Sequence, residues 1–119
     1  RTLADYVAQR WILPGRQELV RQRLSRAFVQ AGLPEPIIAV ETDSLSLKLA
    51  MLKASDCVGL STSQILTQEH AQGIVTIDHS QLQFRREAGL IRRRHADLSP
   101  SVKPLVVELR KIAAKYGPN

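Results

Sequence analysis

Apolar residues in this chain fall into short runs and helical stripes that alternate, separated by polar or Pro/Gly breaks. Residues 3–9 read as a short helical turn. Arg10-Trp11-Ile12-Leu13 follows as a short strand, closed by Pro14-Gly15. A helix is expected over 16–31, because Leu19, Val20, Leu24, Ala27, Phe28 and Ala31 share one face. Arg16, Arg21, Arg23 and Arg26 are expected mainly off that face. Gly32 suits the C-cap, and Pro34 and Pro36 forbid continuation. Ile37-Ile38-Ala39-Val40 is apolar throughout, as in a strand covered on both faces.

After the polar break Thr42-Asp43-Ser44, a helix is expected over 45–53, capped by Asp43 or Ser44. It is apolar nearly all round, which predicts packing deep between layers. Val58-Gly59-Leu60 reads as a third strand, 63–72 as a short helix ended by Gly73, and Ile74-Val75-Thr76-Ile77 as a fourth strand. A fifth strand is expected over 86–93, broken by Gly89. The last helix carries Val102, Leu105, Val106, Leu109, Ile112 and Ala113 on one stripe and stops at Gly117-Pro118. Pro104 favours Ser101 over Ser99 as its N-cap, since proline then takes the third helical position.

Strands alternating with helices imply an α/β fold: a mainly parallel sheet, right-handed crossovers and flanking helices. The length, 119 residues, suits one core and not two. In open sheets of this kind, ligands bind outside the carboxyl ends of the strands. Two polar breaks, Thr42-Asp43-Ser44 and Ser61-Thr62-Ser63, would both face that crevice. Each is also what an ordinary helix cap requires, and from the local residues alone the cap is the stronger reading. Asp43 argues against a strongly anionic ligand at that point unless a cation intervenes.

Composition narrows the function classes. At 44% hydrophobic and 24% charged the chain is globular rather than disordered. A net charge of +6 admits nucleic acid, a membrane surface or acidic ligands as partners, but 4% aromatics does not support a base-stacking surface. The single cysteine, Cys57, rules out an intrachain disulfide and reads as a buried structural thiol, compatible with a reducing cytoplasm. No segment approaches the apolar length of a membrane span. His70, His79 and His95 lack metal-ligand spacing and read as surface or loop residues. No nucleophile elbow, phosphate loop or paired acid–base motif is present, so no enzyme, cofactor or metal is expected. The Arg92-Arg93-Arg94 cluster reads as a charged edge strand rather than a nucleic-acid site. The start at Arg1, without Met, leads to the expectation of a fragment or a processed product.

Several stretches together resemble the effector-binding domain of LysR-type transcriptional regulators: WILP at 11–14, the helix leading to GLPEP at 32–36, VETDSLSLKLAMLKASDCVGL at 40–60, GIVTI at 73–77, GLIRRR at 89–94, LSP at 98–100, and the closing ELRK at 108–111. The match covers essentially the whole chain, and its specificity lies in order and spacing. The resemblance implies a cytoplasmic, homo-oligomeric, ligand-responsive transcription factor with a periplasmic-binding-protein-like fold. Residues 1–82 would be subdomain II, and 83–119 the strand and helix returning to subdomain I. DNA would be bound only through an N-terminal helix-turn-helix that is absent here.

By the same resemblance the partner is a small organic effector: a carboxylate, aromatic acid or sugar. Contacts carry over to Thr42, Asp43 and Ser44, and more weakly to Pro14, Gly15, Ser61 and Thr62. Family members often carry a small Gly-containing pair before the third strand and a Pro after it. Here Ser55-Asp56 and Ser61-Thr62 stand in those places, which leaves the second rim more polar. Two other readings stay open: a lobe of a solute-binding protein and a small basic nucleic-acid-binding module.

Overall fold

The run at Trp11 becomes the middle of a three-stranded parallel sheet. In a computed structural model of the chain, residues 2–66, 71–85, 89–95 and 97–116 are described, and the chain divides into two units, Arg1–Arg86 and Glu87–Asn119. In the first unit, β1 (Arg10–Leu13) pairs in parallel with β2 (Ile37–Glu41) on one side and with β3 (Val58–Gly59) on the other, giving the order β2-β1-β3. As the central strand, β1 buries Trp11, Ile12 and Leu13 almost completely. The register with β2 slips between Trp11 and Ile12. Thr42 N–H, donating to the Leu13 carbonyl, extends the pairing past the strand end.

Alternation along β1 sends Trp11 and Leu13 to one face and Ile12 to the other. On the first face they meet Leu24 and Phe28 of α1 (Leu19–Gln30), with Leu3 and Tyr6 from the opening 3-10 turn, Leu3–Tyr6. Phe28 stands edge-on to Trp11, their rings 6.1 Å apart at 84°, a geometry aromatic quadrupoles favour. The end of α1 is set by Gly32, at φ 68. Gly32 N–H donates to the Val29 carbonyl and Leu33 N–H to the Phe28 carbonyl, the paired bonds of a Schellman stop. Leu33 then folds back onto the core.

The other face carries α2 (Leu45–Ala54), whose one buried residue is Leu49. Gly59 lets β3 lie close. A Cβ there would stand 3.3 Å from the Ile12 carbonyl, which would have to give by a few tenths of an ångström, and in ordinary contact with a Leu52 methyl at 3.5 Å.

Several sequence expectations are corrected. Helix α1 begins at Leu19 rather than Arg16, because Glu18 N–H first closes a turn onto the Gly15 carbonyl. Arg21 is not off the apolar face: it is 7% exposed, one turn from Leu24 and two from Phe28. Strand β2 is not covered on both faces, since Ile37 is 52% exposed and Ala39 and Glu41 are also exposed. Nor is α2 packed deep between layers, because Leu45 and Leu47 stay exposed. Cys57 is half-buried rather than buried.

The fourth strand is absent. Residues 74–77 are irregular, with Val75 82% exposed. The outer neighbour in the sheet, β3, is two residues long and offers too short an edge to pair with. The helix expected over 63–72 is α3, Ser63–Leu66, while 67–70 lie outside the described residues. Beyond 73 the chain returns to the core, with Leu82 of the 3-10 turn Ser80–Leu82 packed against it.

His79 is a further correction: it is buried, not at the surface. Its ring stands edge-on to Tyr6 at 5.7 Å, and neither ring nitrogen nor the Tyr6 hydroxyl has a hydrogen-bond partner among the described residues. Buried polar atoms left unpaired cost about 1–3 kcal/mol. His79→Leu, an apolar replacement of similar bulk, should therefore raise stability by up to about 1 kcal/mol, measured by urea denaturation. A destabilised variant would show that His79 has a partner in solution.

In the second unit, residues 89–93 are described and form no strand, so the expected fifth strand is not there; 86–88 lie outside the described residues. Ile91 is fully exposed at 100%. Helix α4 (Val102–Tyr116) takes Pro104 as its third residue, as expected. Ahead of it, the Ser99 carbonyl accepts from Val102 and Lys103 N–H, so the chain is wound before the regular ladder begins. The apolar stripe of α4 is present, with Leu105, Leu109 and Ile112 exposed. Its expected stop at Gly117-Pro118 lies outside the described residues. Among the described residues, no helix is long and apolar enough to cross a membrane.

Candidate functional site

Three parallel strands deliver three breaks to one edge of the sheet. Pro14-Gly15 follows β1, Thr42-Asp43-Ser44 follows β2 and Ser61-Thr62 follows β3. Because β1 is central, Pro14-Gly15 lies between the other two. The chain runs from β1 out to β2 and then across to β3, so this edge is the point where the strand order reverses.

The breaks are joined by side chains. Gly15 N–H donates to Asp43 Oδ1 at 3.4 Å, tying the first break to the second. The Pro14 carbonyl accepts from Arg21 Nη1 at 3.1 Å, and Arg21 also lies 3.6 Å from Glu41 Oε2 at the end of β2. A nearly buried guanidinium thus braces β1 against β2 from behind. Its burial is tolerable because a carbonyl and a carboxylate meet it.

Capping accounts for part of the second break. Ser44 Oγ accepts from Leu47 N–H at 3.3 Å and Thr42 Oγ1 from Ser44 N–H at 3.1 Å. Ser44, rather than Asp43, is therefore the cap of α2. Both hydroxyls keep an O–H donor, and Asp43 keeps its second carboxylate oxygen. At the third break the Thr62 carbonyl starts α3, accepting from Ile65 N–H. The exposed Ser61 and Thr62 hydroxyls have no hydrogen-bond partner among the described residues.

Lys48 completes the edge, and sequence reasoning missed it. It sits one turn into α2, and its side chain leans back toward the helix start, as helical side chains do. Nζ donates to the Leu60 carbonyl at 3.0 Å, beside Ser61-Thr62. The group is half-buried, and that burial pushes the ammonium below its usual value. No carboxylate pairs with it among the described residues. The signal was there: Lys48 is the first charged residue of an otherwise apolar helix, four places after the cap. Arg21 was missed for a similar reason, its 3.6-residue spacing to Leu24 and Phe28 being read as solvent-facing.

The edge therefore combines hydroxyls, one carboxylate and one cation that no carboxylate among the described residues pairs with, an arrangement suited to holding a small polar molecule. Among the described residues, no group of His, Cys, Asp and Glu has the arrangement of a metal site. Of the histidines, His79 is in the core, His95 adopts a left-handed φ of 60, and His70 lies outside the described residues.

Comparison with known proteins agrees with the arrangement of the fold. The family model described as the LysR substrate binding domain matches residues 1–114. The chain is 29% identical over 110 residues to the HTH-type transcriptional regulator GbpR of Azospirillum brasilense, covering 92% of this chain and 32% of that protein. It is likewise 29% identical over 117 residues to the HTH-type transcriptional regulator GalR of Pseudomonas putida, covering 98% of this chain and 30% of that one. The chain thus spans about a third of the length of these relatives. No solved structure matches it significantly.

Proposed function

Because the chain belongs to the LysR substrate-binding domain family, whose fold is periplasmic-binding-protein-like, we propose that it is the effector-sensing part of a transcriptional regulator. The reading rests on one observation above others: three parallel strands end at one edge, where Pro14-Gly15, Thr42-Asp43-Ser44 and Ser61-Thr62 meet. A small organic effector sits over that edge, its hydroxyl or amide groups met by Thr42, Ser44, Ser61 and Thr62 and by the free oxygen of Asp43. Lys48, carrying a positive charge without a carboxylate partner among the described residues, favours an effector with a carboxylate. This supplies the cation that Asp43 otherwise makes necessary for an anionic ligand.

In this reading residues 1–82 act as subdomain II and 83–119 return to subdomain I, which supplies the opposite wall. The effector prefers one arrangement of the two subdomains and shifts the population of a cytoplasmic homo-oligomer toward it. DNA is bound by a helix-turn-helix elsewhere in the protein, and the chain itself performs no catalysis.

The test is a thermal-shift screen of carboxylates, aromatic acids and sugars on the full-length regulator, since a ligand stabilises the state it binds. One class should raise the melting temperature, and Ser61→Ala/Thr62→Val should reduce that shift. An effector that stabilises wild type and this variant equally would remove the strand ends from the site.

A further inference from the structure

A groove of about 320 Å³ runs along α1, lined by Arg16, Arg21, Gln22, Ser25, Arg26 and Glu35. None of the strand-end residues lines it, so it is separate from the edge described above. We infer that this groove is a second binding site, for a small oxoanion carrying two or more negative charges, such as a polycarboxylate or a phosphorylated metabolite.

Three arginines and a single glutamate line the groove, an excess of positive charge whose mutual repulsion an anion would relieve. Arg16 and Arg26 have no carboxylate within 4 Å among the described residues. Arg21, more than nine-tenths buried, forms the floor. Its contacts to the Pro14 carbonyl and Glu41 hold the group in place, while a guanidinium has five N–H donors in all. A guanidinium held in place, sharing the groove with two exposed arginines, suits the paired oxygens of a carboxylate or phosphate.

Ser25 and Gln22 add neutral hydrogen-bonding groups, although Gln22 Nε2 already donates to the Gln17 carbonyl. Glu35, from the loop before β2, bounds the groove with the one negative charge and favours a hydroxyl over an anionic group there. The volume fits one small molecule rather than an extended polymer. Arg21 also gives the site a route to the first, because the same guanidinium holds the β1 strand end.

The experiment is calorimetric titration of the intact regulator with citrate and, separately, with inorganic phosphate, at an ionic strength held constant with sodium chloride. Wild type is compared with Arg16→Gln/Arg26→Gln, whose two sites are exposed and leave the core untouched, and with Ser61→Ala/Thr62→Val. At least one anion should bind wild type saturably. The arginine variant should bind it about tenfold or more weakly, as expected for losing charge-assisted contacts, and the Ser61/Thr62 variant should bind it unchanged. Preference for citrate would identify a polycarboxylate, and preference for phosphate a phosphorylated ligand. No saturable binding into the tens of millimolar, equal affinity in the arginine variant, or loss in the Ser61/Thr62 variant would each overturn the assignment.

Discussion

Phe28→Ala should destabilise the protein by about 3–5 kcal/mol, the range for removing a large aromatic side chain from a packed core. Phe28 is fully buried, stands edge-on to Trp11 and sits in the cluster with Leu3, Tyr6, Leu13 and Leu24. It is also the acceptor residue of the bond from Leu33 that ends α1. The site cannot easily collapse, since its neighbours come from a central strand, a helix and a 3-10 turn held apart by the backbone. Domains of this size have only about 5–15 kcal/mol of stability in total, so the variant should sit near its unfolding threshold. Trp11 is the single tryptophan and touches Phe28, so its fluorescence in urea reports the transition. The midpoint should fall sharply with the slope unchanged. A loss below about 1 kcal/mol, small against that range, would mean that α1 does not depend on this contact.

The second large effect is expected at Lys48. If the effector carries a carboxylate that meets Nζ, Lys48→Met removes a hydrogen bond to a charged group, about 1.5–3 kcal/mol, or roughly ten- to a hundredfold in affinity. Binding of the effector identified by thermal shift, measured by calorimetry, should weaken to that extent. A carboxylate effector bound equally by both proteins would place the anion elsewhere.

The same substitution has a pH signature that needs no effector. Burial lowers the folded-state value of Lys48 below the ordinary 10.5. As pH rises from that lowered value toward 10.5, the folded protein loses the proton while the unfolded chain keeps it, and stability rises wherever the unfolded state binds more protons. Wild type should therefore gain stability relative to Lys48→Met over that alkaline window, and the difference should be flat below it. The gain is moderated by solvent, since the group is only half-buried. A flat difference throughout would show that the ammonium is fully hydrated.

Elements whose signal is local were legible in the residues. The run at Trp11 closed by Pro14-Gly15 is β1, the Gly32-Leu33 stop is where α1 ends, and Ser44 caps α2. Failures came where a residue's state depends on what lies beside it. Ile74-Val75-Thr76-Ile77 and the stretch before Arg94 have strand composition, but an apolar run is a strand only if a neighbour offers an edge, and a two-residue β3 does not. The same dependence left α2 with Leu45 and Leu47 exposed despite its apolar sequence. The candidate site divided in the same way. Thr42, Asp43, Ser44, Ser61 and Thr62 became candidates from their position after the strands, and Pro14 and Gly15 only through the family resemblance. Lys48 and Arg21 were passed over because a cation in a helix looks like a solvated one until its neighbours are known.

Alternation, caps and Pro/Gly breaks by themselves determined that this chain is α/β, with polar turns after its strands, because each of those signals acts within a few residues. Only the tertiary structure decided that β1 is central, that three breaks therefore share one edge, and that Lys48 stands among them with no carboxylate paired to it among the described residues. Strand order, burial and ion pairing are set between residues tens of positions apart, such as Gly15 with Asp43 and Arg21 with Glu41. The free energy that selects them comes from packing and desolvation, which no local pattern records.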